Sequence, residues 1–391
     1  MQALQIISIK PQPKIIEIVE RKGLGHPDTI CDSIAEKISI ELANTYLKKF
    51  GEILHYNIDK ALLAAGEAIN KFGGGQIIKP MVFVIGDRAT YRVENEIIPI
   101  DEIVEEAVYS WFEENLRFVK REYVRIQSEI KRGSQALQDI FKRRGKFLPA
   151  NDTSALVGYA PSTKLEDSVY KLEKFINSAK FKKQFPETGE DVKIMGLRWK
   201  DKFRFTIAIA FVDKFVENEA DYFRKKDEIK NELIEYVKKE LDLDAEIILN
   251  PLDIRGKREE GCYLTVCGTC AESADSGEVG RGNRVNGLIC LNRPASSEAA
   301  AGKNMVSHVG KIYNVLAFKI ANEIYEAIEK ENYVWLLSQI GKPINEPIAI
   351  SVEVANLEES ENKIIEEIVS KNFEKLDEFI KELIQGKYSV V

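Results

Sequence analysis

The stretch ERKGLGHPDTICDS, residues 20–33, joins a strand to a helix. Residues 15–19 before it form a short apolar run with strand character. After it, Ile30, Ile34, Ile38, Leu42, Tyr46 and Phe50 recur every four residues, with Cys31 and Ala35 beside them, which makes one apolar face of an α-helix. Asp28 occupies the expected N-cap position, Pro27 precedes it, and Gly51 supplies the stop. Two glycines, His26 and Asp28 therefore fall on a strand-to-helix turn. A helix N-terminus offers unpaired N–H groups and the positive end of the dipole, a ready anion site. His26 adds a proton donor there, and Asp28 or Asp32 offers a ligand for a divalent cation. The competing reading of the stretch alone is a glycine turn with an ordinary cap.

A chain of 391 residues is long enough for two or three domains with sizeable cores. Its net charge of −7 disfavours non-specific nucleic-acid binding, so a polyanionic substrate must be met by a local cluster of Lys and Arg. No apolar run reaches the length of a membrane span, and the N-terminus lacks the signal-peptide pattern. A cytoplasmic location, with neither membrane nor nucleic acid as partner, is the default expectation. Cys267 and Cys270 have C-x-x-C spacing, but the three histidines, His26, His55 and His308, offer no obvious zinc set. The five cysteines read as small buried thiols.

Further along, residues 55–66 and the run 77–85 around Gly73-Gly74-Gly75 read as a wide hairpin. Asp101 is expected to cap a helix with Ile103, Val104, Ala107, Val108, Trp111 and Phe112 on its apolar face. Residues 117–147, rich in Arg and Lys with little period, read as a surface segment. In it, Lys131-Arg132-Gly133-Ser134 is a candidate phosphate lid, against the plainer reading of a solvated charged face. Helices are predicted over 162–175, 221–241, 306–328 and from about 364 to 386. Strands are predicted over 203–212, 246–249, 263–267, 333–338 and 348–354. Gly302-Lys303-Asn304 would then lie just before the N-terminus of the 306–328 helix, a second anion-friendly position. It is not a Walker A loop, and Gly280-x-Gly282 lacks the dinucleotide spacing. Strand-then-helix patterns recur about three times, an α+β layout.

No nucleophile motif stands out. Cations, carboxylates and backbone N–H groups on glycine-rich turns suit a reaction that develops charge on phosphate oxygens. The blocks Gly25-His26-Pro27-Asp28, Asp152 with Gly158-Tyr159-Ala160, Asp275 through Gly280-Arg281, and Ala301-Gly302-Lys303-Asn304 occur in an order that resembles the S-adenosylmethionine synthase (methionine adenosyltransferase) family. Residues 20–28, 280–287 and 338–343 resemble its archaeal-type branch. The resemblance covers nearly the whole chain. It implies that methionine sulfur attacks C5′ of ATP, and that the displaced triphosphate is hydrolysed to pyrophosphate and phosphate. It also implies Mg²⁺ and K⁺, and a homodimer or tetramer with sites at the interface. The implied fold has three similar sub-domains, each a mixed sheet with helices on one face, related by pseudo-threefold symmetry and interleaved in sequence. Approximate bounds are 1–130, 131–257 and 258–391. The alternative is another ATP-dependent transferase or polyphosphate hydrolase using the same phosphate site.

By resemblance, His26 donates to the leaving oxygen, Lys202 contacts the triphosphate near it, and Arg281 clamps the polyphosphate with Lys303 at its far end. Glu20 and the lid residues Lys131, Arg132, Gly133 and Ser134 fall to the nucleotide. Glu67, Asp152 and Asp275 fall to methionine or ribose, Asp28 to Mg²⁺ and Asp59 to K⁺. The sequence departs from the bacterial pattern at Gly282, where a lysine follows the clamp arginine. It departs again after Lys303, where Asn304 and His308 are the nearest counterparts of a second lysine and a metal-binding aspartate.

Overall fold

Three larger β-sheets, each covered on one face by helices, with two small two-stranded ribbons beside them, form the fold of the computed structural model, which describes residues 3–11, 14–133, 139, 141 and 147–391. The first sheet runs in the order Leu4–Ile9, Ala349–Ala355, Asn332–Leu337, Ala155–Ala160. The second runs Ala245–Leu249, Lys202–Val212, Thr188–Trp199, Ile16–Lys22, Ile289–Cys290, with Leu264–Thr265 paired to Lys202–Val212. The third runs Gly277–Glu278, Tyr56–Ala64, Met81–Ala89, Val124–Arg132. Each mixes parallel and antiparallel pairs, as expected of an α+β fold, and each draws strands from distant parts of the chain.

The cores follow the same division. Helices Pro27–Phe50 and Ile100–Asn115 cover the third sheet, with Ile30, Ile34, Ile38, Leu42 and Tyr46 fully buried against Ile58, Leu63 and Phe83. Helices Lys164–Ile176 and Glu219–Glu240 cover the second. Helices Val309–Ile328, Asn362–Glu374 and Leu376–Ile384 cover the first.

Several local expectations are corrected. The first helix is capped by His26, not Asp28, because Pro27 takes the first helical position, where its missing N–H costs nothing. The 306–328 helix begins at Val309 with His308 as its cap, so Gly302-Lys303-Asn304 stands off its N-terminus. The helix at 100–115 starts after Pro99, and Asp101 lies in its first turn. Within the expected surface segment, Val124–Arg132 forms a strand parallel to Met81–Ala89. The last helix is two, meeting at Lys375. The predicted 263–267 strand shortens to Leu264–Thr265.

The crossings between sheets position the site. Strand Ile16–Lys22 belongs to the second sheet, whereas the helix that follows it covers the third, so residues 23–26 span the junction. Residues 279–288 span the same junction in reverse, from Gly277–Glu278 to Ile289–Cys290. Residues 302–304 begin the passage from the third sheet to the helix covering the first.

Candidate active site at the sheet junctions

The turn is built on close backbone approach. Strand Ile16–Lys22 pairs antiparallel with Thr188–Trp199, with Lys22 opposite Lys193. Beyond it, the Gly25 N–H donates to Glu190 O at 2.9 Å and Thr269 Oγ1 donates to Gly25 O at 2.7 Å. A Cβ on Gly25 would lie 2.4 Å from Asp191 N, so only glycine fits.

His26 is buried at the head of the helix. Its Nδ1 accepts the Asp28 backbone N–H at 3.2 Å, which leaves the ring proton on Nε2. Burial pushes its pKa down to about 4, opposed by Asp28 and assisted by Lys22 and Lys193. At neutral pH it is therefore an uncharged imidazole with one N–H to donate. Lys22 Nζ lies 2.8 Å from Asp28 Oδ2 and 2.7 Å from Arg281 O. Lys193 Nζ lies 3.1 Å from Glu20 Oε1. The Arg281 side chain is exposed beside this group.

One stripe of the first helix holds both glycine-rich loops. Asp28, Asp32 and Glu36, spaced one turn apart, accept the backbone N–H groups of Glu278 (2.9 Å), Gly280 (2.8 Å) and Gly302 (3.0 Å). Burial raises the Asp32 pKa to about 7, against the hydrogen bond from Gly280. A Cβ on Gly282 would lie 2.3 Å from Asp32 Oδ2, so the glycine that departs from the bacterial pattern is what lets the loop seat on this carboxylate. Glu36 also takes the fully buried Lys311 at 2.6 and 2.8 Å.

Three turns along the helix, about 16 Å from Asp28 at 1.5 Å per residue, Ser39 Oγ donates to Lys303 O at 3.0 Å. The buried Lys303 ammonium is bound to Asp59 and lies 3.3 Å from Glu298. Asp59 also takes Lys60 at 2.6 Å. Burial alone would raise the Asp59 pKa, but the two lysines override it and hold the carboxyl well below the usual range. His308 mirrors His26: its Nδ1 accepts the Gly310 N–H at 3.2 Å, and burial pushes its pKa down to about 3.

The other predicted residues distribute around these two clusters. Asp152 is exposed on a loop that reaches the Lys303 cluster through the contact of Ser154 Oγ with Glu298. Asp275 is exposed on a loop and Glu67 is exposed at the start of the short strand Glu67–Ile69; Ala65 N donates to Ser276 Oγ at 3.1 Å, and Glu67 pairs with Lys79. Lys131 and Arg132 end the strand Val124–Arg132 opposite Arg88 and Ala89, with Gly133 next to them. Ser134 lies outside the described residues.

Lys202 is not brought to the turn within the chain. It pairs with Trp199 at the end of the strand, six residues beyond Lys193. Six residues at about 3.3 Å each separate the two positions by about 20 Å. The lysine that reaches the turn is Lys193, which the sequence reasoning missed, as it missed Lys22, Glu36 and Lys311. The cysteines are free and, apart from half-exposed Cys262, buried. Among the described residues no three His, Cys, Asp or Glu side chains form a metal cluster, and no helix is long and apolar enough to cross a membrane.

A three-sheet α+β fold with cationic side chains and a neutral histidine at its sheet junctions suits an enzyme that handles polyanions. The family is more specific: the chain belongs to the S-adenosylmethionine synthetase (AdoMet synthetase) family, whose model matches residues 2–387. It is 46% identical over 382 residues to a probable S-adenosylmethionine synthase of Aquifex aeolicus, covering 96% of this chain and 95% of the relative. It is 43% identical over 385 residues to the S-adenosylmethionine synthase of Methanosphaera stadtmanae, covering 95% of each. The fold resembles an S-adenosylmethionine synthetase from Campylobacter jejuni with a TM-score of 0.63 at 16% identity, covering 94% of this chain and 88% of that one.

Proposed function

We propose that this chain is a methionine adenosyltransferase, converting ATP, L-methionine and water to S-adenosylmethionine, phosphate and diphosphate. The sulfur lone pair attacks C5′, the C5′–O bond breaks, and its electrons go to the triphosphate oxygen. Water then cleaves the triphosphate. The observation that carries the proposal is the neutral His26 with its free Nε2–H, held beside Lys22, Lys193 and the Arg281 loop at a helix N-terminus. The attacking atom belongs to methionine, so the protein's task is to stabilise charge on the leaving oxygen.

His26 Nε2 donates to that oxygen. Lys193 takes the role that the resemblance gave to Lys202, Arg281 clamps the polyphosphate, and Lys303 holds its far end three helical turns away. Glu20 contacts the nucleotide, with Lys131 and Arg132 at the lid. Glu67, Asp152 and Asp275 serve methionine and ribose.

Mg²⁺ needs one or two carboxylates, with substrate phosphates and water completing its shell. Asp28, one of whose oxygens carries only the Lys22 ammonium, fits that demand. The ion would neutralise phosphate charge there. K⁺ at Asp59 does not fit, because both carboxylate oxygens already carry lysine ammonium groups. A cytoplasmic homodimer completes the reading.

The test is one incubation with ATP, Mg²⁺ and L-methionine, with products separated by mass. S-adenosylmethionine with diphosphate and phosphate is expected; phosphate release without a methionine adduct would favour a polyphosphate hydrolase.

A further inference from the structure

Lys22 has a main chain that cannot move and a side chain whose anchor is replaceable. Its N–H donates to Asn283 Oδ1 at 3.0 Å, and its carbonyl accepts from Asn283 Nδ2 at 2.8 Å and Thr29 Oγ1 at 3.0 Å. The residue is thus fixed to both the turn and the returning loop. The side chain is 12% exposed, and its ammonium group uses two of its three donors, on Asp28 Oδ2 and Arg281 O. Asp28 Oδ1 is already taken by the Glu278 N–H, so Lys22 occupies the one carboxylate oxygen open to a cation.

Two further features bear on what this ammonium does. Lys22 stands directly opposite Lys193 in the strand register, an arrangement of like charges that is unfavourable without compensating anions. In the free chain, Asp28 and Glu20 compensate them. A divalent cation arriving on Asp28 removes one of these anions. The displaced ammonium then needs another, because a partly buried unpaired charge is costly. The anion that enters with the cation is the substrate's polyphosphate.

We infer that Lys22 is a polyphosphate ligand of this active site, resting on Asp28 in the free chain and transferring to the phosphate oxygens when substrate binds. In that position it supplies a second cation next to Arg281, where Gly282 has no side chain to offer one. The inference rests on the reading of the turn as a polyphosphate site, and its test separates the two.

Inorganic tripolyphosphate is titrated calorimetrically into the full chain, with and without Mg²⁺, for the wild type, Lys22→Met and Lys22→Gln. Thermal unfolding of each variant is followed in parallel. Loss of one charge-assisted contact predicts about tenfold or more weaker binding in both variants with Mg²⁺ present, and a smaller loss without it, where Asp28 still holds the ammonium. Gln can still donate to Arg281 O, so a weakened Gln variant with a wild-type melting temperature separates phosphate contact from loop support. Binding within about twofold of wild type, with Mg²⁺ present, in whichever variant folds would overturn the inference. If the wild type itself bound no tripolyphosphate, the polyphosphate reading of the turn would fail first.

Discussion

His26 Nδ1 accepts the backbone N–H of Asp28 at 3.2 Å, and this one contact sets the chemistry of the turn. It makes the histidine the helix cap, fixes the tautomer, and aims a neutral N–H at Nε2 away from the helix. A protonated ring could not accept this bond, so capping and donation by a neutral imidazole are the same arrangement.

The first prediction follows from that coupling. His26→Asn is expected to lower kcat by about 10²–10³, as for loss of one preorganised donor. Burial depresses the native pKa to about 4 from the ordinary 6.5. Between those values the unfolded chain binds more protons. The contribution to stability is therefore complete above about pH 6.5 and is lost as pH falls towards 4, on the order of 3 kcal/mol. Melting temperatures from pH 7.5 to 4.5 should fall more steeply for the wild type than for His26→Asn. The kcat profile should show no histidine limb near pH 6.5.

A second prediction concerns Asp59. Its carboxylate neutralises Lys303 and Lys60, and the Asp59–Lys303 pair is almost fully buried. Asp59→Ala leaves the Lys303 ammonium beside Glu298 alone. Breaking a buried pair costs about 3–5 kcal/mol, so a clear drop in melting temperature is expected. Lysine ammonium groups already sit on both Asp59 oxygens. The ratio of rates with and without potassium should therefore be the same in Asp59→Asn and the wild type, and a change in that ratio would return the cation to this carboxylate.

What could be read from the sequence was local. The helix from 27 to 50 shows itself because Ile30, Ile34, Ile38, Leu42 and Tyr46 all face one core. Its cap was misread because Asp is a common N-cap, whereas Pro27 at the first position moves the cap back to His26. Strand Val124–Arg132 was missed although Val124, Ile126 and Ile130 alternate with Arg125, Gln127, Glu129 and Lys131, because Ser128 interrupts the apolar face and the charged residues dominated the reading. The site escaped in proportion to sequence distance. Glu278 reaches Asp28 across 250 residues, and Lys193 meets Lys22 through strand register, which no spacing rule encodes. Lys202 and Lys193 lie on the same hairpin and differ in which end of the sheet they reach.

The third prediction tests the seat of the returning loop. A methyl group at position 282 would lie 2.3 Å from Asp32 Oδ2. Gly282→Ala should cost about 1–3 kcal/mol in stability, as overpacking does, and raise KM for ATP by displacing Arg281. Combined with Asp32→Ala, which removes the obstructing oxygen, the added penalty of the alanine should shrink. Unfolding free energies of the two single variants and the double variant form the cycle that measures this, and strict additivity would show that the two groups do not meet.

The last prediction sets Lys193 against Lys202. Lys193 projects beside Glu20 and opposite Lys22, and it contributes to holding His26 neutral. Lys202 sits at the hairpin end about 20 Å away by strand rise. If charge on the leaving oxygen is met at this turn, Lys193→Ala should lower kcat by about 10² or more with a smaller change in KM, the pattern of a contact made mainly in the transition state. Lys202→Ala should leave kcat within about twofold, since substitutions of exposed residues away from the site rarely exceed 0.5 kcal/mol. Steady-state kinetics of the two variants decide the matter. A large loss in Lys202→Ala would mean that its ammonium reaches a site through a partner subunit, because strand geometry keeps it from the turn of its own chain.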